Sequence, residues 1–165
     1  MFNCGQFRKL IVQPVLKAID LYSPEAEELL IGTCAQESHG GTFLFQVINK
    51  PIIDVEASPY AIGIYQMEKA THDDIWKYFL PGHKDLSNKL LDFCKIEAPT
   101  ADMMIYNLYY ATAMSRVFYR RIAEAIPADL KGQAEYYKKH YNTNAGAATI
   151  REYVLNYYNF NGIKE

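Results

Sequence analysis

The sequence predicts a mainly α-helical fold, and three observations lead to this prediction. Apolar residues recur at helical spacing in most segments, and proline or glycine interrupts the chain where these segments end. There is no internal repeat, low-complexity segment or linker. With 165 residues, of which 50% are hydrophobic, the chain suits one domain with a sizeable core, which we assign to residues 1–165.

The first two helices are predicted from apolar spacing and from end signals. A first helix is expected over about residues 6–22, and Pro14 either kinks it or marks its true start. Ser23-Pro24 indicates the start of a second helix, because serine caps helices and proline suits the first helical position. The second helix is expected to stop at Gly40-Gly41.

The rest of the chain alternates between a long loop and further helices. Residues 42–60 have no clear helical period, and we interpret them as a loop with at most a short hairpin or extended pieces. Residues 101–125 show little polar face and predict a long helix buried in the centre of the protein. The other predicted helices cover about residues 69–79, 86–94, 129–141 and 148–159.

Glu37 is the leading candidate for a catalytic residue. It shares a helical face with Leu30 and Cys34, although that face is apolar. Burial and the negative end of the helix dipole would both raise the pKa of this carboxyl group, as a general acid near neutral pH requires. The alternative is an edge residue whose carboxylate reaches solvent.

Two segments in this region carry motifs that are similar to those of a known protein family. Glu-Ser-His-Gly-Gly at residues 37–41 is similar to the Glu-Ser-His-Ala-Gly segment of goose-type lysozymes, and Glu-Ser also begins the signature of soluble lytic transglycosylases. Ala-Ile-Gly-Ile-Tyr-Gln at residues 61–66 resembles the Ala-x-Gly-Leu-Met-Gln segment of the same family. In that family this segment packs beside the catalytic glutamate and offers its glutamine to the substrate.

Two later segments extend the resemblance. Asn107-Leu108 is similar to the start of the family's Asn-Ile-x-x-Gly-x-x-Tyr-Leu motif, although Ala111 and Met114 stand where glycine and tyrosine are usual. Residues 140–146 resemble the Tyr-Asn-x-Gly motif, which supplies an active-site tyrosine, here with extra residues before the glycine. Lys-Lys-His-Tyr-Asn-Thr at residues 138–143 is also similar to phage-encoded muramidases.

The resemblance implies a lysozyme-like fold with Glu37 as the catalytic residue. Gln66 would bind the N-acetyl group or the glutamate, and Tyr141 would hold the glutamate or the developing oxyanion. The serine that the family usually fixes near the glutamate has two candidate counterparts here, Thr42 and Ser58. The implied substrate-binding residues are Gln66, Tyr141, Asn142, Gly63, Ser58 and Thr42.

The activity implied by the resemblance is cleavage of the MurNAc–GlcNAc β-1,4 bond in peptidoglycan. A lytic transglycosylase needs one carboxylate and leaves 1,6-anhydro-MurNAc ends, whereas a hydrolytic muramidase needs a second acid, for which the intervening loop offers only Asp54 and Glu56. The first is favoured, since neither acid is well placed by the sequence. A third interpretation, from another class, is a non-catalytic wall-binding or structural subunit of a phage particle.

Charge argues against nucleic acid as the partner. The formal net charge is −2, whereas proteins that bind phosphate backbones usually show a strong basic excess or stripe. Two small basic clusters are interpreted as solvated helix faces, with short-range attraction to anionic cell walls as the alternative. They comprise Arg116, Arg120 and Arg121, and Lys138, Lys139 and His140.

The cysteines indicate which cofactors to expect, and the N-terminal segment indicates where the protein is made. Cys4, Cys34 and Cys94 lack metal-ligand spacing and are predicted to be reduced core thiols, and no metal or other cofactor is expected. No signal peptide or membrane span is evident. We therefore expect synthesis in the cytoplasm without membrane insertion and action at the cell wall, with carriage in a phage virion beside other virion proteins as one route.

Overall fold

The computed structural model describes residues 1–45, 61–142 and 146–163, and in this part of the chain the fold is mainly helical, as predicted. The described helices pack around one hydrophobic core. Strand-like pairing within these ranges is limited to the antiparallel bridges Phe45–Ile62 and Ile62–Met67. None of the described helices combines the length and apolar character that crossing a bilayer requires.

The first helix is continuous from Cys4 to Ala18, so Pro14 lies inside it and does not mark its start. Its middle turn, Arg8–Val12, is π-helical, and the amide of Gln13 donates to the carbonyl oxygen of Arg8. Proline has no amide hydrogen to donate, and the wider turn directly before it accommodates the interruption of the usual pattern. The helix ends earlier than predicted, because Asp20 adopts a left-handed φ of 54°.

The second helix, Pro24–Ser38, carries Glu37 in its last turn and is called the Glu37 helix below. As predicted, Ser23 caps its start, where the side-chain oxygen accepts the amide of Ala26 at 3.1 Å. The helix ends at His39, whose φ of 48° is left-handed, and Gly40 and Gly41 follow with positive φ. The glycine pair therefore lets the chain turn away directly behind the glutamate.

The remaining helices agree with the predicted positions except at the centre of the protein. Asp129 caps the helix that follows it, because its side-chain oxygen accepts the amide of Gly132 at 2.9 Å. In chain order these helices are Lys69–Asp74, extended by a π-helical Ile75–Phe79 and a 3-10 turn Leu80–Gly82; Lys84–Cys94; Met103–Tyr106; Leu108–Arg120; Leu130–Tyr137, extended by a π-helical Lys138–Asn142; and Ile150–Asn161.

The long helix predicted over residues 101–125 is interrupted, so that prediction was wrong in length. Asn107 has an extended backbone, and its side-chain oxygen accepts the amide of Tyr110 at 3.0 Å. Asparagine can satisfy a helix N-terminus in this way, and it starts a separate helix, Leu108–Arg120. This central helix is mostly buried, as predicted, but it ends at Arg120.

Two neighbouring helices hold the Glu37 helix in the core. Tyr119 of the central helix hydrogen-bonds Thr33 at 2.8 Å, and the Tyr153 hydroxyl of the C-terminal helix donates to the carbonyl oxygen of Leu29 at 3.3 Å. Gly32 allows the second contact, since a Cβ atom there would lie 2.0 Å from the Tyr153 hydroxyl. The position of the Glu37 carboxyl group is therefore fixed by helix packing.

The three cysteines are free thiols buried in the protein, as predicted. Burial raises the pKa of both Cys34 and Cys94 to about 12. At neutral pH these groups are therefore protonated and unreactive, which is typical of packing residues.

Candidate active site

Glu37 lies in a cleft of about 710 Å³ that three parts of the chain enclose. The end of the Glu37 helix forms one side, the turn between Ile62 and Met67 forms another, and the helical segment Lys138–Asn142 forms a third. The structure brings four of the sequence-predicted residues together here. They are Glu37, Gln66, Tyr141 and Asn142.

The surroundings of Glu37 favour its protonated form. Loss of solvent in the cleft raises the pKa of this carboxyl group to about 7, and the Tyr137 hydrogen bond opposes the shift. In that bond the Tyr137 hydroxyl donates to Oε1 of Glu37 at 2.5 Å. A carboxyl group with this pKa exchanges a proton readily near neutral pH, as a residue that serves first as acid and then as base requires.

Tyr137, which the sequence did not single out, holds Glu37 in place of the predicted Tyr141. The Tyr141 hydroxyl instead donates to the carbonyl oxygen of Tyr65 at 2.8 Å. The two rings stack with centroids 5.9 Å apart, because residues one helical turn apart face the same way. That spacing was the available signal, but the motif resemblance pointed only to the later tyrosine.

The turn opposite Glu37 is tightly closed by its own hydrogen bonds. Ile62 and Met67 exchange backbone hydrogen bonds of 3.0 and 3.1 Å, and Gln66 adopts a left-handed φ of 47°. The side-chain nitrogen of Gln66 donates to the carbonyl oxygen of Gly63 at 2.7 Å. Gln66 therefore borders the cleft as predicted, but its amide hydrogen is bound within the turn and not to Glu37.

Gly63 does not line the cleft, contrary to its assignment as a substrate-binding residue. Its φ is +72°, and a Cβ atom would lie 2.2 Å from the carbonyl oxygen of Met104. Only glycine tolerates both conditions, so this residue lets the turn pack closely against the backbone of the helix Met103–Tyr106. Its contribution to the site is structural.

Of the two predicted counterparts of the family's serine, Thr42 is among the described residues. Thr42 is exposed and outside the cleft lining, and its hydroxyl donates to the carbonyl oxygen of His39 at 2.9 Å. Ser58 lies outside the described residues, as do Asp54 and Glu56. The structure does not bring Thr42 into the cleft, because its side chain is bound to the turn that ends the helix.

Ser38 was missed by the sequence analysis, and it joins two sides of the cleft. Its buried hydroxyl donates to the carbonyl oxygen of Ile64 at 2.7 Å and accepts the amide of Gly41 at 2.9 Å. The residue next to Glu37 thus fastens the helix end to the opposite turn. A serine within the Glu-Ser segment was visible in the sequence, but its partner is distant along the chain.

Asn142 is held at the edge of the cleft by a lysine. Nζ of Lys138 donates to the side-chain oxygen of Asn142 at 2.8 Å and to the carbonyl oxygen of Gly146 at 2.7 Å. The lysine therefore connects Asn142, at the end of the helical segment Lys138–Asn142, with Gly146. Asn142 and Gly146 both line the cleft, so this contact shapes its wall.

One further carboxylate, Glu68, lines the cleft within the described residues, and its side chain is exposed. Nothing in the sequence indicated this role, because Glu68 lies beyond the loop that separates Glu37 from Gly63. No group of three or more histidine, cysteine, aspartate or glutamate side chains with metal-binding geometry occurs in the part of the chain that the structure describes.

Comparisons of this chain with protein-family models, with curated proteins and with solved structures find no match. The fold and the site together define a mainly helical protein in which a glutamate with a raised pKa lines a cleft of about 710 Å³. The motif resemblance to goose-type lysozymes and lytic transglycosylases therefore bears on function only as support for a proposal.

Tyr137→Phe is expected to raise the pKa of Glu37 by about one unit, because it removes a hydrogen bond that lowers this pKa. Tyr141→Phe is the matched control, since its hydroxyl binds a backbone carbonyl and not Glu37. Titration of the ¹³C-labelled carboxyl group by NMR, assigned with Glu37→Gln, measures both. Equal titration midpoints in the two variants would show that Tyr137 does not set the protonation of Glu37.

Proposed function

We propose that this protein cleaves the β-1,4 bond between MurNAc and GlcNAc in peptidoglycan glycan strands. The observation that supports the proposal is a carboxyl group, Glu37, whose position in the cleft raises its pKa to about 7, so that it can donate a proton near neutral pH. It faces a cleft of about 710 Å³, a volume within the range of small-molecule binding sites. Cleavage of a glycosidic bond requires such a proton donor at the leaving oxygen.

Of the two outcomes of cleavage, we favour the lytic transglycosylase. Glu37 donates its proton to the glycosidic oxygen, and the bond from that oxygen to C1 of MurNAc breaks. The resulting carboxylate then accepts the proton of the C6 hydroxyl, whose oxygen bonds to C1 and closes the 1,6-anhydro ring. The same group acts as acid and as base, so one carboxylate is sufficient, and a pKa of about 7 suits both steps.

The other cleft residues have roles that fit a sugar polymer. Phe43, Phe45 and Phe118 line the cleft and offer flat apolar surfaces to the faces of sugar rings. The side-chain oxygen of Gln66 is suited to accept the amide hydrogen of an N-acetyl group. Tyr141 fixes the turn that carries Gln66, through its bond to the carbonyl oxygen of Tyr65.

Hydrolysis is the second candidate, and Glu68 is the observation that favours it. This exposed carboxylate borders the same cleft as Glu37, and a water molecule activated there would attack C1 in place of the C6 hydroxyl. Asp54 and Glu56 are the alternative second acids, from the segment outside the described residues. The two candidates differ in their products by one water molecule.

The biological setting is proposed from the motif resemblance alone. The similarity of residues 138–143 to phage-encoded muramidases supports an enzyme that acts at the bacterial cell wall. Carriage in a virion, in contact with other virion proteins, would place it there during genome entry. Peptidoglycan glycan strands are its proposed partner, and the alternative of a non-catalytic particle subunit is an outcome of the test below.

Mass spectrometry of digested peptidoglycan tests the proposal. We expect soluble muropeptides that lack one water relative to reducing ends, and none from Glu37→Gln. Reducing ends would favour the hydrolase, and Glu68→Gln, Asp54→Asn and Glu56→Gln would then identify its second acid. If the wild type releases nothing from walls of several chemotypes but still binds them, the non-catalytic subunit replaces the enzyme.

A further inference from the structure

A second cavity, of about 490 Å³, lies on the other side of the central helix from the Glu37 cleft. Arg116 and Arg120 line it from consecutive turns of that helix, whereas Phe118 between them lines the cleft. Its opposite wall is the connection between the first helix and the Glu37 helix, which includes Tyr22 and Ser23. The cavity is thus separate from the proposed catalytic site.

The two arginines of this cavity are cations without a carboxylate partner among the described residues. Nε of Arg116 donates to the carbonyl oxygen of Leu21 at 3.1 Å, which positions the guanidinium group at the cavity wall but leaves its charge unbalanced. Arg120 is exposed beside it. By contrast, the neighbouring Arg121 is paired with Asp74 at 2.8 Å.

Two of the three acidic residues that line the cavity, Asp20 and Glu124, are bound by basic side chains from outside it. Glu124 pairs with Lys139 and His140 at 2.8 and 2.5 Å. Asp20 pairs with Lys89 at 2.8 Å. Lys89 is shared with Asp85, and Glu25 forms no ion pair among the described residues, so neither Arg116 nor Arg120 is the counter-ion of a carboxylate of this lining.

Partial burial makes the charge on Arg116 unfavourable in the free protein. Desolvation, followed by repulsion from Arg120, lowers the pKa of this guanidinium group. The predicted solvated basic face was therefore wrong for Arg116, whose side chain is only partly exposed. A bound anion would relieve both effects, because it would supply the missing counter-charge inside the cavity.

We propose that this cavity is a binding site for a phosphate group, held by Arg116 and Arg120. Guanidinium groups bind phosphate oxygens in pairs of parallel hydrogen bonds, and two of them complement more negative charge than one carboxylate carries. Ser23 adds a hydroxyl at the same cavity; its oxygen accepts the amide of Ala26, and its hydrogen is retained for a ligand. The phosphate group belongs either to a phosphodiester polymer or to a small phosphate monoester.

Inorganic phosphate is the first probe, and melting temperature is the readout. At 10 mM and constant ionic strength, phosphate is expected to raise the Tm by about 3 °C relative to chloride, as millimolar affinity implies. Arg120→Gln is expected to abolish this shift, and Arg116→Gln likewise if the variant folds. Arg121→Gln is the matched control and keeps the full shift, because that arginine is bound to Asp74.

An equal Tm in phosphate and chloride, or an undiminished shift in Arg120→Gln, would overturn the proposal. Calorimetry with a short poly(glycerol phosphate) then distinguishes the two ligand sources. If the polymer binds at least tenfold more tightly than inorganic phosphate does, the site is assigned to a phosphodiester polymer. If its affinity is less than tenfold higher, or lower, the site is assigned to a monoester. Muropeptide release serves as a separate readout, since Arg120→Gln leaves Glu37 and its cleft untouched.

Discussion

Glu37→Gln is expected to lower the rate of muropeptide release about 10³-fold, the loss that follows removal of a general acid. Glutamine keeps the size of the side chain and accepts the hydrogen bond from Tyr137, but it has no proton to give at the glycosidic oxygen. The rate is measured from soluble products of purified peptidoglycan at several protein concentrations. Because the fold is unchanged, affinity for intact walls is expected to remain.

The matched control is Glu135→Gln, which removes an exposed carboxylate whose nearest ion-pair partner, Lys131, lies 3.9 Å away. Exposed pairs of this kind contribute little to stability, so this variant is expected to keep full activity. Retention of more than a tenth of the rate in Glu37→Gln would assign the proton donor to another residue, with Glu68 as the first to test.

Glu37→Gln is also expected to stabilise the protein by about 3 kcal/mol at pH 8 and to have little effect at pH 4. The pKa of Glu37 rises from an ordinary 4.5 to about 7 in the folded state. The folded protein thus holds this proton more tightly than the unfolded chain does. The stabilisation by the bound proton is complete below pH 4.5 and is lost as the pH rises through 7.

Urea unfolding of the wild type and Glu37→Gln at both pH values measures this effect. All other titrating groups are shared, so their contributions cancel in the difference between the two proteins. A difference in unfolding free energy that does not grow between pH 4 and pH 8 would mean that the cleft does not disfavour the Glu37 carboxylate. If Glu37→Gln gains more unfolding free energy at pH 8 than at pH 4, the ionised Glu37 carboxylate lowers the stability of the wild-type protein.

Local signals predicted most of the helices, because the physics of helix ends is local. Ser23 and Asp129 each satisfy an amide within their own first turn, so their roles are visible in the sequence. The glycine pair behind Glu37 likewise places the glutamate at a helix end. Asn107 was missed because asparagine is tolerated within helices, and only its cap to Tyr110 reveals the break.

The contacts that build the site were less predictable, because they join distant parts of the chain. Tyr137 reaches Glu37 from a different helix, and Ser38 reaches the turn at Ile64. Arg116 was expected in solvent because its neighbours in sequence are basic, but its bond to the Leu21 carbonyl draws it against the connection before the Glu37 helix. Apolar spacing contains no information about such pairings.

Tyr137 and Tyr141 bind opposite sides of the cleft from one helical segment, and this arrangement has an entropic consequence. One hydroxyl fixes Glu37 and the other fixes the turn at Tyr65, so the distance between the two sides is set before any ligand arrives. A site of this kind loses little conformational entropy on binding. Interactions with a bound ligand are then available to stabilise the transition state, because none is needed to assemble the site.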